Sequence, residues 1–154
     1  MTQKTQVDAA PGKQEIIITR TFELPLDLLF KAYVEPDLVE QWMGTKVLKL
    51  DNVPHGSYTF ETTDPKGNKH VFHGVIHAFV PLQKITRTFE MRNTPFPAQL
   101  EFLEFDALSE DTSKLTMHIV FKSVAYRDQL MQMPFAQGIN MAHDRLQTVA
   151  NKYK

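Results

Sequence analysis

A chain of 154 residues, 42% hydrophobic and 23% charged, suits one compact domain with a sizeable core and is short for two. Lys and Arg number 17 against 18 Asp and Glu, a net charge of -1, which excludes the one-sided basic field that nucleic-acid backbones reward. Cysteine is absent, so disulfides, thiolate metal ligands and cysteine nucleophiles are excluded and burial alone must hold the fold.

The N-terminal MTQKTQVDAAPGK is polar and small, closes on Pro11-Gly12, and lacks the apolar stretch of a signal peptide. It reads as a flexible tail over 1–13, with a single domain over 14–154. QEIIITRTFEL is rich in β-branched residues and predicts a strand ending before Pro25, a residue tolerated at the start of a helix. PLDLLFKAYVE follows as a helix with Leu28, Leu29, Ala32 and Tyr33 on its apolar side. Pro36 starts a second short helix and Gly44 stops it.

From Lys46 to Lys122 the apolar period becomes two, broken by turn signals at 54–56, 64–68, 81–82, 93–97 and 109–113, which predicts about six consecutive strands. The last has Leu115, Met117, Ile119 and Phe121 on one face. YRDQLMQM is a helical turn or two before Pro134. A closing helix then carries Phe135, Ile139, Ala142, Leu146, Val149 and Tyr153 in one stripe. Strand, two short helices, six strands and a helix of about 18 residues, roughly 27 Å long, make an α+β fold: an antiparallel sheet of about seven strands whose apolar face the last helix covers. No run reaches the length of a membrane span, so no membrane insertion is expected and the cytoplasm is the expected location.

The succession PDLVEQWMG, HGSYTFETTDPKGNKHVFHGVIHAFVPLQKITRTFE, LEFLEFDAL and FKSVAYRDQLMQMPFAQGINMAHDRLQ resembles the activator-of-heat-shock-protein-ATPase-like branch of the START-like (SRPBCC, helix-grip) superfamily. The resemblance spans nearly everything from Thr19 to Leu146. It implies a curved sheet gripping the C-terminal helix, an apolar cavity between them, and the two short helices near its mouth, with Trp42 beside the entrance. Relatives carry a second glycine or a proline after the short helix and a paired glycine before the third strand; this chain has Met43, Thr45 and His55-Gly56 there.

Several residue groups stand out. His70, His73 and His77 have a spacing that would converge on zinc from a helix, but KHVFHGVIHAFV reads as a strand that splits them between faces, so no metal site is expected. ITRTFEM places Arg87 between Ile85 and Phe89. On an inward face it needs a partner, either Glu104 of the next strand or an acidic ligand; bulges could instead turn it outward. Met43, Met117, Met131, Met133 and Met141 would suit a pocket that re-packs around its ligand, or a loosely specified core. Gly138 either admits a neighbouring strand or leaves room for a ligand. Trp42, the only tryptophan, either caps the open end of the grip or plugs the core.

No nucleophile–base pair, phosphate loop or cofactor motif is recognisable, so no catalytic residue, metal or cofactor is assigned. Three functions stay open. The first is binding of a small hydrophobic or amphipathic molecule in a cavity lined by Trp42, Tyr58, Phe60, Arg87, Phe89, Phe102, Met117, Phe135, Ile139 and Ala142. The second is a cyclase- or hydrolase-like enzyme acting on a cavity-bound substrate, as some START-like proteins are. The third, ranked last, is a protein-binding module with a chaperone partner. An edge strand would also allow a homodimer.

Overall fold

The computed structural model describes residues 4–154; the first three residues of the expected tail lie outside the described residues. Eight strands form one antiparallel sheet: β1 (Gln6–Asp8), β2 (Glu15–Phe22), β3 (Lys46–Leu50), β4 (Ser57–Thr63), β5 (Lys69–Val80), β6 (Lys84–Met91), β7 (Gln99–Ala107) and β8 (Ser113–Val120). Their spatial order is β1-β2-β8-β7-β6-β5-β4-β3. The first and last stretches of the domain's sheet thus meet where β2 pairs with β8. Helices α1 (Leu26–Val34) and α2 (Pro36–Met43) bridge β2 to β3, and α3 (Val124–Gln132) and α4 (Phe135–Asn151) follow β8.

The elements end where their chemistry says they should. Gly44 closes α2 with a left-handed φ of 63°, a conformation costly for any residue with a Cβ. Ser123 caps α3, its hydroxyl accepting from the Tyr126 N–H at 3.2 Å. Strict alternation in β2 buries Ile16, Ile18, Arg20 and Phe22, and in β8 buries Leu115, Met117 and Ile119. Against that face stand α1 and α4. The Phe30 and Tyr33 rings lie 5.0 and 5.5 Å from Phe105, and Leu146 and Ala150 are fully enclosed.

Two stretches depart from expectation. Gln6–Asp8, inside the expected flexible tail, form an edge strand on β2, and Val7 and Ala9 pack on the core. This segment is fastened to the C-terminal helices by polar contacts: the Thr5 N–H donates to Asn140 Oδ1 at 2.9 Å, and the Arg127 guanidinium donates to the Ala10 carbonyl at 2.8 Å. The apolar stripe of α4 also ends earlier than expected. The helix stops at Asn151, Tyr153 is exposed, and the buried polar His143 shares the inward face with Leu146 and Ala150.

Two glycines have opposite roles. At Gly74 a Cβ would sit 1.9 Å from the Thr88 carbonyl oxygen and 2.8 Å from the Tyr58 ring, whose hydroxyl donates to the same carbonyl at 2.6 Å. The aromatic ring covers the gap a side-chain-free strand position leaves. Gly138, by contrast, is exposed with nothing within 4 Å of a Cβ, so it neither admits a strand nor makes room for a ligand. Gly74→Ala should therefore cost about 2 kcal/mol through overpacking, whereas Gly138→Ala should stabilise by about 0.5 kcal/mol through helix propensity. Urea unfolding midpoints of the two variants, expected on opposite sides of the parent, check both signs.

Candidate functional site

Between the sheet and α4 lies a hollow of about 330 Å³. Its sheet wall is Ile18, Arg87, Phe89, Glu101, Met117 and Ile119. Its helical wall is Phe135, Ile139, Ala142 and Arg145 from α4, with Tyr126 and Leu130 from α3; Tyr33, Trp42 and Met43 close one end, and Phe96 and Pro97 of the β6–β7 loop stand at its border. The volume is at the small end of ordinary ligand sites.

Of the ten residues expected to line a cavity, Trp42, Arg87, Phe89, Met117, Phe135, Ile139 and Ala142 border this hollow. Tyr58 and Phe60 are not among its lining residues. They point inward but form a layer behind it, their rings 5.1 Å apart, with the Arg87 guanidinium 5.0 Å above the Tyr58 ring. Tyr58 borders instead a polar recess of about 280 Å³ with His73, Glu90 and Arg92. Phe102 lies on the opposite face of β7, its ring 5.6 Å from His118. Residues Glu101, Leu103 and Phe105 face inward, so Leu100, Phe102 and Glu104 face away.

That phase also corrects the partner of Arg87. Glu101 is its directly opposed neighbour across the β6–β7 ladder, and the Arg87 Nε–H donates to Glu101 Oε1 at 3.2 Å, while Glu104 is exposed opposite Lys84. The second oxygen of Glu101 accepts from Gln99 Nε2 at 3.0 Å. Burial opposes the charge on Arg87, but its surroundings, the hydrogen-bonded Glu101 carboxylate among them, outweigh it and hold its pKa above the ordinary value, so it stays a cation. Burial likewise pushes the Tyr33 and Tyr58 hydroxyls up, with Arg87 pulling back, so both remain protonated.

Trp42 is 4% exposed, and its indole N–H donates to the Ala32 carbonyl at 2.7 Å. Its donor is thus satisfied at the end of α1 rather than at a rim, and the ring is wall and core plug together, 5.2 Å from Tyr33. Arg145 ties α4 to α2, its Nε–H donating to the Trp42 carbonyl at 3.0 Å. Of the methionines singled out, Met43 and Met117 border the hollow, as Met91 also does, Met131 packs against the core, and Met133 and Met141 are about half exposed and serve neither. The three histidines stay apart in function. His70 pairs with Asp64 at 3.0 Å, His73 faces Glu90 at 4.0 Å, and His77 sits exposed at a β-bulge. Among the described residues no group of three His, Cys, Asp or Glu side chains converges as a metal cage, and no helix is long and apolar enough to cross a membrane.

Sequence reasoning passed over Tyr33 and Glu101 as site residues. For Tyr33 the missing signal is spacing: it lies on the α1 stripe with Leu29, and only the bend into α2 sets it beside Trp42 at the end of the hollow.

The fold is shared with structurally solved bacterial proteins. A solution structure from Arthrobacter aurescens superposes with a TM-score of 0.87 at 13% identity, covering 96% of this chain and 91% of the other. A Rhodobacter sphaeroides crystal structure gives 0.86 at 17% identity over 97% and 99%, and one from Mycobacterium smegmatis 0.83 at 19% over 94% of each. These likenesses establish the helix-grip fold alone. No curated protein matches the chain in sequence. The family profile described as activator of Hsp90 ATPase homolog 1-like protein matches residues 23–151, and the chain belongs to that family.

Proposed function

We propose that the protein binds a small hydrophobic or amphipathic molecule in the hollow between its sheet and α4. The observation that carries this is the hollow itself: about 330 Å³, partly open to solvent, beside a core where side chains such as Leu103, Leu115 and Leu146 are fully enclosed. The surrounding core is packed to high density, so a solvent-accessible recess left unfilled and lined by Phe89, Met117, Ile119, Phe135 and Ile139 suits an apolar guest.

An enzymatic reading has less support. Both oxygens of Glu101 already accept hydrogen bonds, from Arg87 and from Gln99, so neither is poised as a base. A chaperone-type docking module would favour one contiguous apolar patch. The exposed Leu48, Val53, Leu82, Leu108 and Met141 belong instead to separate strands, turns and helices.

Trp42, the only indole and part of the wall, reports on occupancy. Titration with fatty acids, flavonoids, sterols and simple aromatics should give a saturable emission change for one class, absent in Trp42→Phe. At about a hundredfold excess over Kd, the melting temperature should rise by roughly 5–10 °C. A flat response in both signals across the panel would sink the proposal.

A further inference from the structure

Which chemical group the guest carries can be read from the polar atoms that the protein leaves without partners at one end of the hollow. Among the described residues, Arg87 uses only its Nε–H, on Glu101, and its terminal nitrogens make no hydrogen bond. The Tyr33 hydroxyl makes none either, although the nearby Trp42 indole and Tyr58 hydroxyl are both satisfied. Neither group belongs to the sealed-in atoms of the core that lack partners, such as Arg20 Nε and His143 Nε2; Arg87 and Tyr33 instead border the open volume.

These leftover groups share one polarity. A guanidinium offers only donors, and a tyrosine held protonated by burial offers its O–H. Glu101 offers little in return, since each of its oxygens already has a donor. The Arg87 side chain is 9% exposed; solvent can approach its terminal edge only through the hollow, and the mainly apolar wall there offers those donors no protein acceptor. The charge lining points the same way: Arg87, Lys122 and Arg145 against Glu90 and Glu101. We infer that the guest is a monocarboxylic acid with an aromatic or alkyl body, its carboxylate accepting from the Arg87 terminal nitrogens and the Tyr33 hydroxyl, its body lying between Met117 and Ile119 on one side and Ile139 and Ala142 on the other. This rests on the proposed binding function and adds the identity of the head group. The Arg87–Glu101 pair fits such a guest, because the carboxylate of Glu101 fixes the plane of the guanidinium through Nε and leaves the terminal edge to meet a second acceptor.

Matched probes separate the two levels. Calorimetric titration of the full chain with 2-naphthoic acid and decanoic acid is compared with 2-naphthylmethanol and decanol, which keep the body and lose the charge. At least one acid should bind about tenfold or more tightly than its alcohol, as a charge-assisted hydrogen bond requires. Tyr33→Phe removes a hydroxyl with no protein partner, so the fold should be untouched and the acid alone should weaken, by about threefold. Glu101→Gln keeps the side-chain size and an acceptor for the Arg87 Nε–H while removing the competing charge; it should raise the ratio of acid to alcohol affinity. Acid and alcohol binding equally, with Tyr33→Phe and Glu101→Gln shifting neither, would overturn the carboxylate assignment while leaving the pocket in place. If none of the four probes binds, both the assignment and the proposed function fail.

Discussion

Glu101→Ala is expected to lower stability by about 3 kcal/mol, a drop in melting temperature of roughly 6–12 °C for a chain of this size. The residue is 5% exposed and is the directly opposed neighbour of Arg87, itself 8% exposed. Removing the carboxylate strands a buried cation above the Tyr58 ring, and a side chain made entirely of donors has no way to neutralise itself. The loss should sit at the low end of the range for broken buried pairs, because the hollow lets solvent approach the guanidinium edge. The double variant Arg87→Met with Glu101→Leu removes both charges at similar volume and should return to within about 1 kcal/mol of the parent. Urea unfolding of the parent, single and double variants checks this. A single variant as stable as the parent would mean that solvent in the hollow already screens Arg87, leaving the pair without structural weight.

How Arg87 came to be expected inside, yet with the wrong partner, shows where sequence information stops. Its own phase was legible because Ile85, Arg87 and Phe89 alternate with Thr86 and Thr88. The facing strand gives no such contrast. In QLEFLEFDA both phases carry apolar residues and a glutamate, Leu100-Phe102-Glu104 in one and Glu101-Leu103-Phe105 in the other. Only the register with β6, set across a seven-residue turn with no tight-hairpin signature, decides between them. The same limit explains Phe102, placed on the wrong face by the same phase. Tyr58 was lost differently: its inward direction was right, but pairing with Gly74 folds the ring flat under Arg87 and away from the hollow.

The order and type of elements, by contrast, were set locally, by Pro25, Pro36, Gly44 and Pro134 and by the change of period between helices and strands. β1 is the exception. Its three residues carry no β-branched run and are held mainly by what they and their neighbours meet in space, β2 on one side and Asn140, His143 and Arg127 on the other. No window of sequence contains those partners.

The same contacts set the second large expectation: the protein should lose stability on mild acidification, and His143 should be a main cause. The imidazole is fully enclosed, edge-on to Phe22 at 5.5 Å, with Nδ1 2.7 Å from the Thr5 hydroxyl. That hydroxyl accepts from Arg20, which in turn donates to Asp144 at 2.8 Å. A neutral ring exchanges one hydrogen bond with Thr5 through Nδ1, whereas a protonated ring carries N–H groups on both nitrogens, and the one at Nε2 finds no acceptor in the enclosure. Burial first, and the Arg20 charge second, push the His143 pKa down from 6.5 to about 3, with Asp144 opposing weakly. The folded form therefore binds fewer protons than the unfolded chain between those values. Its stability is present above about pH 6.5 and is lost as the pH falls toward 3, at about 1.4 kcal/mol per unit within the window. His143→Gln keeps an acceptor for Thr5 and cannot titrate there. Urea unfolding at pH 7, 6 and 5 should thus give a parent curve steeper than the variant's by about 1.2 kcal/mol between pH 6 and 5, the subtraction cancelling the titrating groups the two share. Parallel curves would mean that the imidazole can be charged in place, which requires Thr5 and the β1 segment to move off α4 at no cost.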